Sequence, residues 1–275
     1  MKSSKSAGKQ KTVLITGASS GFGKAAALLL AKHGFRVFGT SRQADRAETG
    51  DYEMLTLDVR SDESVQSCVD AVLARAGRID VLINNAGYEL AGALEETTVD
   101  EAKEQFETNF FGMVRMTNAV LPVMRKQRKG RIINLGSLAG LVAVPFYGMY
   151  SASKYAVEGY TEALRQEVKR FNIEVSLVEP GFFNTNLARS GRHSAHSIAD
   201  YDDMRGRAEA VFNTSVQRGK GPEVVAAVIL GVVAGSSPRL RYRIGSDAVW
   251  LPRVKAMMPQ KGFEIGVRKT FHLDK

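Results

Sequence analysis

Thr12-Val13-Leu14-Ile15-Thr16-Gly17-Ala18-Ser19-Ser20-Gly21-Phe22-Gly23, followed by the alanine- and leucine-rich run to Lys32, is the stretch on which the fold turns. Four apolar residues lead into a turn with three glycines, and a helix-forming run follows, closed by Gly34 as a C-terminal cap. Glycine permits a tight turn and a close approach of the backbone to a pyrophosphate. The first N–H groups of a helix have no partner inside it and face an anion well. Strand, glycine turn and helix in this order read as the opening of a nucleotide-binding unit, with Gly17, Ser19, Ser20, Gly21, Phe22 and Gly23 around a phosphate. The spacing Gly-x-x-x-Gly-x-Gly differs from the commoner dinucleotide fingerprint, so on its own the turn also fits a plain connection.

The pattern then repeats. Short apolar runs predict strands at 36–40, 54–57, 81–83, 131–135 and 174–178. Between them, helical spacing predicts helices at 62–76, 99–126, 150–171 and 224–234, with Pro122 as the expected break in the second. Alternating strands and helices imply right-handed crossovers and a parallel sheet, and strands this uniformly apolar are covered on both sides. The expected fold is α/β, a doubly wound parallel sheet (Rossmann fold), forming a single domain over 11–275 with helices on both faces. A polar tail at 1–10 reads as disordered. The polar stretch 186–221, with a helical piece near 205–211, follows the sixth strand and reads either as a lid over a substrate or as a surface insertion. Residues 246–275 form a C-terminal extension.

The 275 residues are 44% hydrophobic and 24% charged, enough for a large buried core. No apolar run approaches the roughly 18 residues that cross a bilayer, and the N-terminus lacks the apolar core of a secretory signal. Cys68 is the only cysteine, which excludes an intrachain disulfide. The expectation is a cytoplasmic protein without an integral membrane segment. The net charge of +9 raises nucleic acid as a partner. The cations are scattered, however: in the tail, at a helix end (Arg125, Lys126, Arg128, Lys129, Arg131), and alternating as Arg239, Arg241 and Arg243, as on the wet face of an edge strand. No nucleic-acid role is expected. His193 and His196 read as surface residues, and no cluster has metal spacing.

Chemistry is concentrated in Tyr150-Ser151-Ala152-Ser153-Lys154, with Ser137 thirteen residues upstream of the tyrosine. A phenol has an ordinary pKa of about 10, and a cation four residues on, on the same helical face, lowers it. A phenol so tuned exchanges a proton with a carbonyl or alcohol oxygen, and Ser137 offers that oxygen a second hydrogen bond. The second strand ends in Thr40-Ser41-Arg42 with no acid before Asp45. A carboxylate there suits a free ribose 2′-hydroxyl and a guanidinium suits a 2′-phosphate, so Ser41 and Arg42 point to NADP(H).

In order along the chain stand the glycine turn, Leu57-Asp58-Val59, Asn84-Asn85-Ala86-Gly87, Asn109, Ser137, Tyr150-x-x-x-Lys154 and Pro180-Gly181. Together these resemble the short-chain dehydrogenase/reductase family, in its compact, single-domain, NADP-preferring form, over about residues 11–235. The resemblance implies Asn109, Ser137, Tyr150 and Lys154 as the catalytic set. Tyr150 is then general acid or base, and Lys154 binds the nicotinamide ribose. The backbone at Asn109 holds a water that relays protons. It further implies Asp58 and Val59 at the adenine, Asn85, Ala86 and Gly87 as a turn lining the cofactor, and Pro180, Gly181 and Thr185 near the nicotinamide. Phe22 stands where the family usually has a branched aliphatic, and Ser20 where many NADP-preferring members have a base. The extension with Trp250, Pro252 and Met257 is similar to the hydroxysteroid and retinol dehydrogenase-like branch.

The implied activity is hydride transfer between NADP(H) and a carbonyl or secondary alcohol. Val142, Val144, Pro145, Phe146, Tyr147, Tyr88, Leu90, Phe182 and Phe183 either line an apolar substrate pocket or belong to the core. A second reading is an NADPH-binding sensor with little turnover. A homodimer or homotetramer through the helices at 99–126 and 150–171 is expected from the resemblance.

Overall fold

The computed structural model describes residues 10–44, 51–185 and 191–274. The tail expected at 1–10 lies outside the described residues except for Gln10, and so do 186–190 of the expected lid.

Strand β1 (Thr12–Ile15) is buried at every position and pairs in parallel with β2 (Arg36–Ser41) on one side and β4 (Val81–Asn84) on the other. With β3 (Glu53–Thr56), β6 (Gly130–Leu135), β7 (Ile173–Pro180) and β9 (Arg241–Ile244), these form a seven-stranded parallel sheet in the order β3-β2-β1-β4-β6-β7-β9. The chain winds outward from β1 through β2 to β3, then crosses back to β4 and winds the other way. The reversal opens a crevice at the carboxyl ends of β1 and β4, where such sheets take ligands.

Alternation along β1 assigns its side chains to two cores. Val13 and Ile15 pack with Ala26, Ala27 and Leu30 of α1 (Gly21–Lys32) and with Val225, Ile229 and Val233 of a helix at 223–234. Leu14 faces the opposite layer, among Val65, Val69 and Val72 of α2 (Asp62–Ala76) and Met116, Val120 and Met124 of the helix before β6. Helices therefore cover both faces. Ser61 caps α2 by accepting from the Ser64 N–H, and Gly77 ends it in the left-handed conformation.

The helix expected at 99–126 is interrupted, but not at Pro122. Helix α3 (Val99–Phe106) begins with a reciprocal Thr98–Glu101 capping box and runs into a wide turn, Glu107–Phe111, before α4 (Gly112–Gln127) continues past Pro122. A proline removes one rung of the ladder. Here Val120 and Met124, both fully buried, hold the helix to the sheet on either side of it. In the wide turn the Gly112 N–H reaches back to the Glu107 carbonyl, and the turn contains buried Asn109. Such turns concentrate at functional sites.

After α5 (Gly148–Val168) and β7, the polar segment is more ordered than its composition suggests. Strand β8 (Arg192–His193) pairs in parallel with β5 (Leu90–Ala91), and α6 (Asp202–Arg218) extends well beyond the expected 205–211. Buried Glu96 anchors the segment, accepting from the N–H groups of Ala93 and Ile198 at 2.8 Å each and from the Arg205 guanidinium. Helix α7 (Glu223–Ala234) precedes β9, and the extension folds as α8 (Ser246–Met257) and α9 (Gln260–Thr270). Phe271, just past α9, is buried against the cluster that contains Tyr150 and Phe212.

The alternating arginines are not all on a wet face. Arg239 is exposed, but Arg241 reaches inward to Glu158 and Glu179, both buried, because those carboxylates need a counter-charge. Arg131 likewise caps α7, donating to the carbonyls of Val233 at 2.7 Å and Gly235 at 2.9 Å. No helix among the described residues is long and apolar enough to cross a membrane.

Candidate active site

A cavity of about 740 Å³ opens beyond the carboxyl ends of β1, β2, β4, β6 and β7. Its lining gathers Gly17, Ser19, Ser20, Gly21, Phe22, Ser41, Arg42, Asp58, Val59, Asn85, Ala86, Gly87, Ser137, Tyr150, Lys154, Pro180, Gly181 and Thr185. Among the catalytic and cofactor-contacting residues expected from the sequence, only Gly23 and Asn109 stand back from the surface of the cavity.

Gly23 acts through packing. A β-carbon there would sit 2.3 Å from the Gly17 carbonyl oxygen and 2.5 Å from the Asn85 amide nitrogen, so any larger residue forces the turn apart. Gly17 has φ of +68°, a conformation only glycine adopts without strain. The turn is tied to β4 by Thr16, which the sequence reading passed over. Its buried hydroxyl accepts from the Asn85 and Ala86 N–H groups, each at 2.9 Å, while the Asn85 side chain donates to the carbonyls of Thr16 and Gly17. Helix α1 starts on the cavity wall with no side-chain cap from Ser20. The Thr40 hydroxyl is buried on the same wall with no hydrogen-bond partner among the described residues. A glycine cradle, an uncapped helix start and an orphaned hydroxyl fit an extended, anionic nucleotide.

The Asp58 carboxylate lines the cavity with one donor already on it. Arg60 grips it at 2.7 to 3.2 Å, and this hydrogen bonding holds it below the ordinary carboxylate range, with Arg42 adding a weaker pull. Arg60 also lines the cavity and was missed in the sequence, where an arginine two residues after Asp58 carries no special signal.

At the other end, α5 presents Tyr150 and Lys154 on consecutive turns, and Ser137 follows β6. The ammonium nitrogen lies 5.9 Å from the phenol ring centre and donates to the Leu135 carbonyl at 2.8 Å. Burial pushes the Tyr150 phenol above its ordinary value and the Glu89 charge adds to this, while its hydrogen bond with Ser137 opposes both. Burial also pulls Lys154 down to about 8, against the charges of Glu158 and Glu89. The sequence reading expected the lysine to dominate the phenol's acidity. In this structure the loss of water on burial acts against that lowering.

Asn109 accepts from the Tyr88 N–H at 3.0 Å, donates to the Tyr88 carbonyl at 2.9 Å and touches the Ser153 hydroxyl at 3.3 Å. Its side chain thus splints the loop after Gly87 to the helix that carries Tyr150. Of the apolar candidates, Tyr88, Val144, Phe182 and Phe183 line the cavity. Tyr147 is core, stacked on Phe212 with ring centres 4.1 Å apart, and Val142 and Leu90 are buried as well. Phe212 and Val216 of α6 reach the lining. Glu89, also unforeseen, is a buried acid in this lining, and burial pushes it up to about 7. The signal available was a lone carboxylate between Tyr88 and Leu90, two residues past a motif glycine. No group of three metal-ligating side chains with suitable geometry exists among the described residues.

The family model described as short chain dehydrogenase matches residues 11–195. Among relatives, a 3-ketodihydrosphingosine reductase of Bacteroides thetaiotaomicron is 42% identical over 259 residues, covering 93% of this chain and 96% of its own. Retinol dehydrogenase 8 of Bos taurus is 37% identical over 270 residues, covering 90% and 86%. Among solved structures, a short-chain dehydrogenase from Streptomyces avermitilis superposes with a TM-score of 0.80 at 36% identity, covering 96% of this chain and 99% of its own. One from Burkholderia phymatum in complex with NAD gives 0.79 at 27% identity, covering 94% and 95%. ElxO with NADP bound gives 0.73 at 26% identity, covering 88% and 99%.

Proposed function

The chain belongs to the short-chain dehydrogenase/reductase family of oxidoreductases, and from that premise we propose that it is an NADP(H)-dependent enzyme interconverting a carbonyl and a secondary alcohol on an apolar substrate. The observation that carries this reading is the convergence of Ser137, Tyr150 and Lys154 on the same cavity as the glycine turn. When bound, the nicotinamide supplies or accepts the hydride.

The chain's own residues do the rest. The glycine turn and the start of α1 hold the pyrophosphate. Arg42, with Ser41 beside it, takes the 2′-phosphate. Ser137 and Tyr150 both hydrogen-bond the substrate oxygen, and Tyr150 delivers the proton as the carbon receives hydride. A phenol keeps its proton at neutral pH, while the alkoxide that forms is basic enough to take it. Lys154 holds the nicotinamide ribose and its positive field favours the phenolate left behind. The backbone at Asn109 carries a water in the path that returns the proton. Val144, Phe182, Phe212 and Val216 shut water out of the reacting end. A dimer or tetramer through α3, α4 and α5, where Val99, Phe111 and Tyr155 are exposed, belongs to the same reading.

The substrates to try first are those the relatives' names state, 3-ketodihydrosphingosine and retinol, beside simple alkyl ketones. Each is mixed with the purified chain and either NADPH or NADH for reduction, or NADP⁺ or NAD⁺ for oxidation, and reduced-nicotinamide absorbance is followed. Turnover that favours the phosphorylated cofactor supports the reading. Tight NADPH binding with no turnover across the panel favours a sensor instead.

A further inference from the structure

Glu89 is 7% exposed and lines the cavity beside Tyr150, yet its carboxylate makes no hydrogen bond and no ion pair among the described residues. Burying an unpaired carboxylate is costly, and buried acids are ordinarily matched by a cation or by several donors. The other buried acids among the described residues obey that rule: Asp80 is paired with Arg78, Glu96 with Arg205, and Glu158 and Glu179 with Arg241. Glu89 alone of these five has no such partner and lines the cavity. Lys154 does not fill the place, since its ammonium is hydrogen-bonded to Leu135 and the two groups feel each other only through space.

The position is held rigidly. The Glu89 carbonyl accepts from the Arg192 N–H at 2.8 Å, where β8 lies along β5. The preceding Tyr88 is fixed at its N–H by Asn109 and at its carbonyl by both Asn109 and Gln105. The backbone that carries the carboxylate is therefore fixed on both sides. Its charge bears on Tyr150, Tyr147 and Lys154, which puts it within electrostatic reach of the reacting oxygen. The same cavity lining includes the apolar side chains of Val144, Phe182, Phe212 and Val216.

We propose that Glu89 is a specificity-determining residue that binds a protonated amine on the substrate, next to the carbon that is oxidised or reduced, so that the preferred substrates are amino ketones or amino alcohols with an apolar chain. This rests on the function proposed above and narrows it. The amine provides the counter-charge the chain omits, and the apolar wall takes the alkyl portion. A net charge of +9 repels amines from the protein as a whole, so a preference for a cation in this cavity must arise locally.

The test compares octylamine with octanol as ligands of the full-length protein by calorimetric titration, in the wild type and in Glu89→Gln. It also compares an alkyl aminomethyl ketone with the alkyl ethyl ketone of equal length as substrates with reduced cofactor. The wild type is expected to bind the amine at least tenfold more tightly and to show the same bias in kcat/KM, and in Glu89→Gln both ratios are expected to fall to near one. A thermal melt of the variant verifies its fold, and if Glu89→Gln is unstable, Glu89→Asp, which keeps the charge, is expected to retain the amine preference while Glu89→Ala is expected to lose it. Equal affinity for amine and alcohol in the wild type overturns the proposal, as does an amine preference that survives in Glu89→Gln. So does a variant whose only change is in its relative affinity for oxidised and reduced cofactor, which assigns the charge to the nicotinamide. Reduction of both ketones without bias sinks the role of Glu89 and leaves the reductase reading standing. Amine-selective binding without turnover of either ketone does the reverse.

Discussion

The two walls of the cavity are built by different means. The wall at the carboxyl ends of β1 and β4 is mostly backbone: Gly17 in a conformation barred to other residues, Gly23 pressed on the Gly17 carbonyl, and the Asn85 and Thr16 hydrogen bonds between them. The wall around Tyr150 is side chains brought from distant parts of the chain: Glu89 after β4, Val144 before α5, Phe182 after β7, and Phe212 and Val216 from α6. Phe271, from beyond α9, backs this second wall. The first has almost no freedom of residue type. The second tolerates many combinations, which is how one scaffold comes to serve different substrates.

The largest effect is expected where the walls meet. Tyr150→Phe keeps the ring and its packing and removes the proton. Turnover is expected to fall by about a hundredfold or more, the usual contribution of a placed general acid, while NADPH affinity by fluorescence titration stays within a factor of a few. Near-normal turnover by this variant breaks the division between a wall that binds and a junction that reacts.

Gly23→Ala sharpens the comparison from the backbone side. The added methyl group meets the Gly17 carbonyl at 2.3 Å, a contact that only backbone displacement relieves. Overpacking of this kind costs about 1–3 kcal/mol. The displacement falls on the turn proposed to hold the pyrophosphate, so cofactor affinity is expected to drop more than tenfold, along with a lower melting temperature. An unchanged cofactor titration removes the turn from the binding wall.

The same contrast explains what was legible in the sequence. The sheet was legible because Val13, Leu14 and Ile15 leave no polar edge for solvent, and because Gly17, Gly23, Gly34 and Gly77 mark turns that few other residues can make. The gathering of Ser137, Tyr150 and Lys154 at one cavity was legible from spacing, since four residues on a helix fix a face. The wide turn at Asn109 was not, because it differs from an α-helix by one hydrogen-bond step and Pro122 offered a more obvious place to break. Arg241 reads as an exposed alternating base until β9 is laid beside the buried Glu158 and Glu179. Glu89 was passed over for a related reason: whether a carboxylate is solvated or trapped depends on β5 and β8 meeting across about a hundred residues of chain.

Arg42→Asp is expected to act more narrowly than either change above. Arg42 is exposed on the cavity rim and supports no part of the fold, so stability should hold. A charge-assisted hydrogen bond to phosphate is worth about 1.5–3 kcal/mol, so NADPH affinity should fall roughly tenfold to a hundredfold while NADH affinity is kept or improved. Parallel titrations with both cofactors settle it, and an unchanged ratio takes the 2′-phosphate away from Arg42.

The effect furthest from turnover concerns the stability cost built into the side-chain wall. Glu89 has an ordinary pKa of 4.5 and is pushed up to about 7 in the fold. Between those values the folded protein keeps a proton that the unfolded chain releases, so this group makes stability fall as pH rises through the window and leaves it lower, but flat, above it. Glu89→Gln removes that slope. The variant should therefore be more stable than the wild type at about pH 8, by up to about 3 kcal/mol at 1.36 kcal/mol per unit, with the advantage shrinking towards about pH 5. The loss of a counter-charge for Lys154 trims the gain, because that ammonium is itself held down by burial and supported by Glu89. Chemical denaturation of both proteins at the two pH values gives the difference directly. A variant that is less stable at the higher pH means the carboxylate already has a partner within the fold, and the substrate-side wall then carries no unmet charge for a ligand to satisfy.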